Sequence, residues 1–292
     1  MNTHAIPANA STASPNATTH VQLNNGTWMP RIGFGVFQIG NDETAAAVRT
    51  AIDAGYRSID TAAIYGNEVG TGVGIAESGV DRGELFVTSK LWHDDHGFDN
   101  TLRAYDASLE RLGVDALDLF LIHWPVPTLD RYVDSWRALE RLLSDGRVGA
   151  IGVSNFQQPH LERLIAETGT VPAVNQIELH PGLQQRELSA FHAANGIITE
   201  AWSPLGQGTF LSHPALSEIA RAHQVTEAQV VLRWHVQADR VVIPKSTHPA
   251  RITSNLDVFS FELGAADIAI IDNLETPDEA GRIGPHPDTF AG

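Results

Sequence analysis

Residues 117–124 read Leu-Asp-Leu-Phe-Leu-Ile-His-Trp (LDLFLIHW), an almost continuous apolar run that ends at a histidine. A continuous run, unlike an alternating one, is typical of a parallel strand that helices cover. A stretch with helical periodicity follows at 132–144. The two together predict one βα unit, with His123 at the carboxyl end of its strand.

Units of the same kind lie on both sides of this one. The predicted strands are 31–36, 57–60, 85–90, 117–124, 148–155, 173–178, 197–202 and 241–244, followed by helices at 42–54, 67–78, 98–111, 132–144, 157–167, 186–195, across 214–237 and at 248–256. Eight units without a break in composition favour an α/β fold of the closed (β/α)8 TIM-barrel type over an open doubly wound sheet.

Three segments lie outside these units. Residues 1–20 are rich in Ala, Ser, Thr, Asn and Pro, and we expect a disordered tail. Residues 21–30 carry Asn25-Gly26, which predicts a β-hairpin with a two-residue turn that caps the bottom of the barrel. Residues 276–292 are rich in Gly and Pro, and we expect a loop that brings Phe290 over a site. Residues 21–292 are thus predicted to form a single barrel domain.

The composition excludes several classes of function. The formal net charge is −16, whereas a nucleic-acid or anionic-membrane surface requires a basic face. The chain has no cysteine. It therefore has no disulfides, no cysteine nucleophile and no metal site with thiolate ligands. The first residues lack the basic start and apolar run of a signal peptide, and we expect a cytoplasmic enzyme.

Four titratable residues are predicted to meet at one corner of the barrel top. Asp60, Lys90 and His123 end three successive strands, and Tyr65 follows Asp60 by five residues. We expect Asp60 to be the counter-ion of Lys90, the Lys90 charge to lower the pKa of Tyr65, and His123 to bind the same substrate oxygen. Such a set can protonate an alkoxide. The alternative is a structural salt bridge beside an ordinary tyrosine.

Protonating an alkoxide implies a hydride donor, and a nicotinamide cofactor is the expected one. The fingerprint G-x-G-x-x-G is absent, because the glycines at 33–35 and 70–74 fail its third position. Residues 241–255 instead contain Lys245, His248 and Arg251, no acidic residue, and a helix start with Pro249 in its first turn. They predict a phosphate site, the alternative being a solvated basic helix end.

The chain resembles the aldo-keto reductase family in order and almost throughout, over residues 21–290. The resemblance rests on IDTAAIYGNE (59–68), TSKLW (88–92), LIHWP (121–125), IGVSNF (151–156), VNQIELHP (174–181), AWSPLGQG (201–208) and IPKSTHPARITSNLDVF (243–259). GYRSIDTAAIYGNE, VPAVNQIELHP and the ending GRIGPHPD are most similar to bacterial 2,5-diketo-D-gluconate reductases.

The resemblance implies a catalytic tetrad and an extended NADPH across the barrel top, with no metal. Asp60, Tyr65, Lys90 and His123 match the tetrad. Ser154, Asn155 and Gln176 would hold the carboxamide, Trp202 would stack on the nicotinamide, Ser203 and Leu205 would follow the pyrophosphate, Lys245, Ser246 and Arg251 would bind the 2′-phosphate, and Asn255 would contact the adenine. The chain has Ser254 where the family often has an acidic residue.

The resemblance also implies a substrate pocket lined by Phe37, Trp92 and Trp124 beside His123. An aromatic wall with few charges suits small aldehydes and ketones. The run His93-Asp-Asp-His96 after Trp92 is expected to be an exposed loop and not a metal site. We expect no nucleic-acid or membrane partner and, from the family, a monomer.

The main hypothesis is therefore an NADPH-dependent reductase of small carbonyl compounds, including 2,5-diketogluconate-like ones, in which Tyr65 donates the proton. Two alternatives remain open at this stage. One is an NADPH-binding sensor with slow turnover, and the other is a metal-dependent barrel hydrolase, for which the strand ends offer no convincing set of His and Asp ligands.

Overall fold

The computed structural model describes residues 16–292, except for the side chain of Asp278. The strands are β1 (His20–Gln22), β2 (Trp28–Pro30), β3 (Phe34–Gly35), β4 (Ser58–Asp60), β5 (Phe86–Leu91), β6 (Leu117–Ile122), β7 (Val148–Ser154), β8 (Val174–Glu178), β9 (Ile198–Trp202) and β10 (Val241–Val242). Strands β3 to β10 pair in parallel and in chain order.

The parallel sheet closes on itself. Ile32, just before β3, forms a parallel bridge with Val242 of β10, and the Gly33 N–H donates to the Val242 carbonyl at 2.8 Å. Strand β6 corresponds to the predicted strand 117–124. It is almost entirely buried, as expected for a strand that helices cover on its outer face. The predicted (β/α)8 barrel is confirmed.

Helices cover the outside of this barrel. They are α1 (Asn41–Ala54), α2 (Glu68–Ala76), α3 (Phe98–Leu112), α4 (Tyr132–Ser144), α5 (Gln158–Thr168), α6 (Arg186–Ala194), α7 (Pro214–His223), α8 (Glu227–Gln237), α9 (Pro249–Leu256) and α10 (Ala265–Asp272). In α4, Trp136, Leu139 and Leu142 follow helical spacing and are buried in the main core cluster.

The predicted helices across 214–237 are present as two, and one further helix was not predicted. The region 214–237 is divided by Gln224, whose φ of 58° ends α7, while Thr226 and Gln229 form a capping box that starts α8. Helix α10 was not predicted. Its apolar residues do not share one face, since Ile271 is buried while Ile270 is 41% exposed, and this weakens the periodic signal.

The N-terminal hairpin, β1 and β2, caps the bottom of the barrel as predicted. Leu23 and Met29 are buried in a second apolar cluster with residues of β5, β6 and β7. The Asn25 side chain donates to the Gly149 carbonyl at 2.9 Å. The two-residue turn was wrong, because Leu23 and Thr27 pair across a loop of three residues that ends with Gly26 at φ 88°.

The described residues include only the end of the predicted N-terminal tail. Most of the predicted tail, residues 1–15, lies outside the described residues. Residues 16–19 form a turn that leads into β1 at His20. None of the helices between residues 16 and 292 has the length and apolar composition that crossing a bilayer requires.

Candidate active site

A buried ion pair lies at the centre of the site. Lys90 of β5 is fully buried, and its Nζ donates to Asp60 Oδ1 at 2.6 Å and to the Thr61 carbonyl at 2.8 Å. Burial lowers the pKa of Lys90, but the Asp60 carboxylate and the Tyr65 hydroxyl favour its charged form, so the pKa is raised overall. Lys90 is therefore an ammonium at neutral pH, with Asp60 as its counter-ion.

Tyr65 lies directly above this pair. It ends a 3-10 turn, Ala63–Tyr65, that begins three residues after the end of β4, and its ring centre is 5.1 Å from Lys90 Nζ. Burial raises the pKa of Tyr65; the Lys90 charge lowers it in part, and Asp60 raises it again. The expected net lowering was wrong, because in this structure burial outweighs the lysine. Tyr65 is therefore protonated at neutral pH.

His123, just after β6, completes the group. Its ring centre is 5.6 Å from that of Tyr65 and 5.3 Å from that of Trp92. Burial, followed by the Lys90 charge, holds the pKa of His123 well below its usual range. The imidazole is thus neutral, and a neutral imidazole can donate one hydrogen bond to a substrate oxygen without competing with Tyr65 as an acid.

A fifth polar residue, Glu200 of β9, joins the network below the tetrad. Gln176 Nε2 donates to Asp60 Oδ2 at 2.9 Å and to Glu200 Oε2 at 2.8 Å. Glu200 is only 1% exposed. Glu200 is not among the predicted site residues, because it stands two residues before the strand end, within the apolar stretch IITEAW. Only a charged residue inside a buried strand could have signalled it.

A cavity of about 910 Å³ opens above these residues. Of the predicted site residues it is lined by Phe37, Asp60, Tyr65, Trp92, His123, Trp124, Asn155, Gln176, Trp202, Ser203, Leu205, Lys245, Ser246, Arg251 and Asn255. Lys90 and Ser154 do not line it. Lys90 lies beneath Tyr65, and Ser154 is fully buried, with its Oγ donating to the Gln176 carbonyl at 2.8 Å.

Trp202 is fixed in the middle of the cavity wall. Its indole Nε1 donates to Asn155 Oδ1 at 2.8 Å. Asn155 Nδ2 in turn donates to the His123 carbonyl at 3.0 Å and to Ser154 Oγ at 3.1 Å. Asn155 has a φ of 62°, and Ser203, next to Trp202, has a φ of 48°. Both residues hold uncommon left-handed conformations, which aim their side chains at the cavity.

Aromatic side chains form the cavity wall around Tyr65 and His123. The ring centres of Trp124 and Phe290 are 4.3 Å apart, and those of Phe37 and Tyr65 are 4.9 Å apart. Phe290 also approaches Trp92, at 6.3 Å. Phe290 belongs to the C-terminal strap, which we define as residues 276–292. The predicted loop over the site is therefore confirmed.

A buried carboxylate at the end of β8 anchors this strap. Glu178 accepts hydrogen bonds from the backbone N–H groups of Ile283 at 2.6 Å and Gly284 at 2.9 Å, and from His180 Nε2 at 3.1 Å. Burial raises the pKa of Glu178, but these three donors outweigh burial and leave the pKa lowered. Glu178 is thus a charged clasp that holds the strap beside Trp202.

Comparison with known proteins identifies the family. A profile described as "Aldo/keto reductase family" matches residues 23–276. The chain belongs to the aldo/keto reductase family.

Individual relatives agree with this assignment. An aldo-keto reductase of Mycobacterium sp. (strain JLS) is 55% identical over 270 residues, covering 92% of this chain and 97% of that protein. The glyoxal reductase of Bacillus subtilis (strain 168) is 52% identical over 269 residues, covering 92% and 96%. A crystal structure of a Gox0644 mutant in complex with NADPH has a TM-score of 0.90 and 49% identity, covering 93% of this chain and 98% of that one.

This aldo/keto reductase is an NAD(P)H-dependent oxidoreductase that acts on carbonyl groups, as the sequence predicted. NADPH, the cofactor predicted from the sequence, is confirmed by the family. The cavity fits such a ligand in volume, since pockets of about 300–1,000 Å³ are usual for small molecules and cofactors. Its donor set fits as well, because it runs from amides and an indole near Tyr65 to two cations at the far end.

The basic end of the cavity lies at the start of α9. Pro249 is the first residue of this helix, as expected, and the first turn has no acidic residue. Lys245 and Arg251 are exposed and line the cavity. Within residues 16–292 neither side chain forms a salt bridge, so both charges are available to an anion.

The segment after Trp92 differs from the expected exposed loop. His93–Asp95 form a 3-10 turn, and both His93 and His96 are buried, at 8% and 1% exposure. Only Asp94 and Asp95 face solvent. Across residues 16–292, no group of three or more His, Cys, Asp or Glu side chains is arranged to hold a metal ion.

Proposed function

We propose that this aldo/keto reductase reduces small aldehydes and ketones to alcohols, with NADPH as the hydride source and Tyr65 as the proton donor. The observation that carries the proposal is the convergence of Tyr65, His123 and the buried Lys90–Asp60 pair at one end of a cavity large enough for cofactor and substrate. The other end of the same cavity carries the exposed cations that a phosphorylated cofactor needs.

In this mechanism the bound cofactor supplies a hydride to the carbonyl carbon, and the side chains supply the rest. The neutral imidazole of His123 donates a hydrogen bond to the carbonyl oxygen and orients it toward Tyr65. As negative charge develops on that oxygen, the Tyr65 hydroxyl gives up its proton to it, because the developing alkoxide is a strong base and the Lys90 ammonium stabilises the phenolate that forms.

Lys90 and Asp60 act on Tyr65 and do not touch the substrate. The Lys90 ammonium stabilises the phenolate that forms when the proton leaves. Asp60 keeps the buried ammonium charged, since an unpaired lysine in this position would lose its proton. The pair therefore stabilises the transition state, in which Tyr65 becomes negatively charged, more than the ground state, in which Tyr65 is neutral.

For the cofactor we propose the contacts that the sequence predicted, with one change at Ser154, which is buried and does not line the cavity. Asn155 and Gln176 would hold the nicotinamide carboxamide, Ser154 would support Asn155 in place of a direct contact, and the Trp202 indole would stack on the ring. Ser203 and Leu205 would follow the pyrophosphate; Lys245, Ser246 and Arg251 would bind the 2′-phosphate; and Asn255 would contact the adenine. Their distribution along one cavity supports this assignment.

For the substrate we propose small carbonyl compounds, including dicarbonyls. Phe37, Trp92, Trp124 and Phe290 give the substrate end an apolar wall, and such a wall binds by shape and tolerates several small substrates. The similarity to a glyoxal reductase supports the inclusion of dicarbonyls. All proposed groups come from one chain, so we also propose that the barrel acts as a monomer, which light scattering tests.

The first test is the substitution Tyr65→Phe. We expect kcat for aldehyde reduction to fall by about a thousandfold, within the range of about 10²–10⁴ for lost acid catalysis. NADPH affinity, measured by quenching of protein fluorescence, should change less than about twofold. Tyr105→Phe is the matched control, because Tyr105 is also buried but bonds the Arg147 carbonyl outside the cavity.

Normal turnover by the Tyr65→Phe protein would refute the proton donor. Absence of turnover by the wild-type protein, with tight NADPH binding retained, would support the alternative of a binding protein. The assay uses glyoxal, methylglyoxal, 2,5-diketogluconate and aromatic aldehydes, each with NADPH and with NADH.

A further inference from the structure

The amide of Gln176 is held between two carboxyl groups. Both of its N–H groups are used: one donates to Asp60 Oδ2 at 2.9 Å and the other to Glu200 Oε2 at 2.8 Å. Carboxyl oxygens accept these bonds, so the NH2 end must face them and the carbonyl end must face away. Within residues 16–292 the Gln176 Oε1 atom has no hydrogen-bond partner, and Gln176 lines the cavity.

We propose that Glu200 is a positioning residue of the reductase: it holds the Gln176 amide with its carbonyl oxygen toward the cavity and couples its own ionisation to Tyr65 through the Asp60–Lys90 pair. The second half of this inference rests on the proposed function. The first half concerns the free protein alone.

The position of Glu200 allows it both to orient the Gln176 amide and to affect Tyr65. It lies on β9, is 1% exposed, and has no hydrogen-bond partner at Oε1 within the described chain. The charged or titratable groups that face it are Asp60 from β4, Lys90 from β5 and Tyr65 from the turn above. On its other side, its register partner on β10 is the apolar Val241.

Two carboxylates and one ammonium in this interior are less stable than one of each. Burial and the nearby Asp60 charge raise the pKa of Glu200 to about 8, against the lowering effects of Gln176 and Lys90. Glu200 is therefore mostly protonated at neutral pH. Above that pH a second negative charge enters the site, and it raises the pKa of both Lys90 and Tyr65. A more basic Tyr65 is a weaker proton donor.

The first experiment uses the ligand-free protein. The side-chain NH2 signals of Gln176, followed by ¹⁵N NMR between pH 6 and 10, should move with a midpoint near the pKa of Glu200, about 8. In Glu200→Gln, which keeps an acceptor oxygen but cannot ionise, this step should vanish. In Asp118→Asn, a carboxyl at the opposite end of the barrel, it should remain. A step that survives in Glu200→Gln would overturn the proposal.

The second experiment measures binding and rate. Glu200→Leu, which removes the acceptor, should weaken NADPH binding about tenfold, while Glu200→Gln should weaken it less than about threefold. The single-turnover reduction rate of the wild type should fall about tenfold between pH 7 and 9.5, because the Glu200 charge raises the pKa of Tyr65 and weakens it as a proton donor. The rate of Glu200→Gln should stay level.

The outcomes separate this proposal from the function on which it rests. A level pH profile in the wild type would overturn the coupling to Tyr65, and equal NADPH binding by the Leu and Gln variants would overturn the positioning of Gln176. Full activity of Tyr65→Phe would instead refute the proposed proton donor and leave the NMR step intact. Circular dichroism confirms that each variant is folded before it is compared.

Discussion

Two buried histidines of this reductase have opposite surroundings. His192 is fully buried and bonded at both ring nitrogens, to Asn175 Nδ2 and to Thr199 Oγ1, each at 2.9 Å. His96 is 1% exposed, and neither of its ring nitrogens has a partner within residues 16–292. Burial, with His93 and Arg131 nearby, lowers the pKa of His96 to about 4. The first histidine stabilises the fold, whereas the second costs free energy of folding.

We therefore expect His96→Leu to be as stable as the wild type, or more so, at pH 7.5. The gain should grow by about 2 kcal/mol at pH 5, because the unfolded chain binds a proton below about 6.5 while folded His96 does so only near 4. As pH falls through this window the wild type loses stability that the variant keeps. Urea unfolding at the two pH values measures the difference.

His192→Leu is the matched control for that experiment. It removes a buried imidazole of the same size but leaves Asn175 and Thr199 without their partner. We expect a loss of about 2–4 kcal/mol at pH 7.5. If both variants were destabilised equally, the missing hydrogen bonds of His96 would not be the reason for its cost.

At the scale of single residues, the sequence predicted functional side chains from their positions at the carboxyl ends of strands. Asp60, Lys90 and His123 could be grouped because parallel strands end at one rim. The net pKa of Tyr65 could not be predicted, since it depends on how far burial outweighs a charge whose distance the sequence does not contain. Glu200 could not be predicted for the same reason. Its importance comes from two contacts, Glu200 with Gln176 and Gln176 with Asp60, which join residues 24 and 116 positions apart in the sequence.

At the scale of structural elements, two backbone hydrogen bonds to Glu178, from Ile283 and Gly284, hold the strap near Trp202. Gly284 passes so close to the indole that a Cβ at this position would be 2.6 Å from Trp202 Cη2. Only glycine allows that approach. Thr276 bonds the Gly182 carbonyl at the start of the strap, and the Glu178 clasp holds its middle beside Trp202. The wall formed by Phe290 depends on the strap.

We expect Glu178→Gln to loosen the strap without unfolding the barrel. An amide offers one acceptor oxygen in place of two, so the N–H of Ile283 or of Gly284 would face an NH2 group. Trypsin cleavage after Arg282 should accelerate about tenfold, which corresponds to the loss of one such hydrogen bond. KM for aldehydes should rise more than kcat falls.

Asp288→Asn tests whether any charge change in the strap has this effect. Asp288 is in the same strap; its side chain is 55% exposed and makes a surface contact, 3.6 Å from His160 Nε2. Because such exposed pairs contribute little, we expect close to the wild-type cleavage rate. Unchanged cleavage in Glu178→Gln would mean that contacts other than the clasp hold the strap.

For the whole molecule, net charge and ligand charge have the same sign. The chain carries −16, and NADPH is itself an anion. At physiological ionic strength charges are screened beyond about 8 Å, so distant acidic residues repel the cofactor weakly. In the proposed site the local pair Lys245 and Arg251 would therefore outweigh the net charge of the chain.

We expect Lys245→Ala or Arg251→Ala to weaken NADPH binding about tenfold and NADH binding less than about twofold, because only NADPH carries the 2′-phosphate. Fluorescence titration with each cofactor measures the ratio. Arg103→Ala, an exposed cation on α3 away from the cavity, should change neither affinity. Equal losses for both cofactors would show that the two cations do not bind the 2′-phosphate.

By itself the sequence determined the barrel and the chemistry of its rim. Continuous apolar strands and amphipathic helices are local patterns, and eight of them in alternation leave one closed arrangement that buries every apolar face. Tertiary structure alone decided the balance of burial and charge at Tyr65, the join between Glu200 and Gln176, and the clasp between Glu178 and the strap. These features depend on distances between residues far apart in the chain, and such distances are set only when the barrel closes and brings them together.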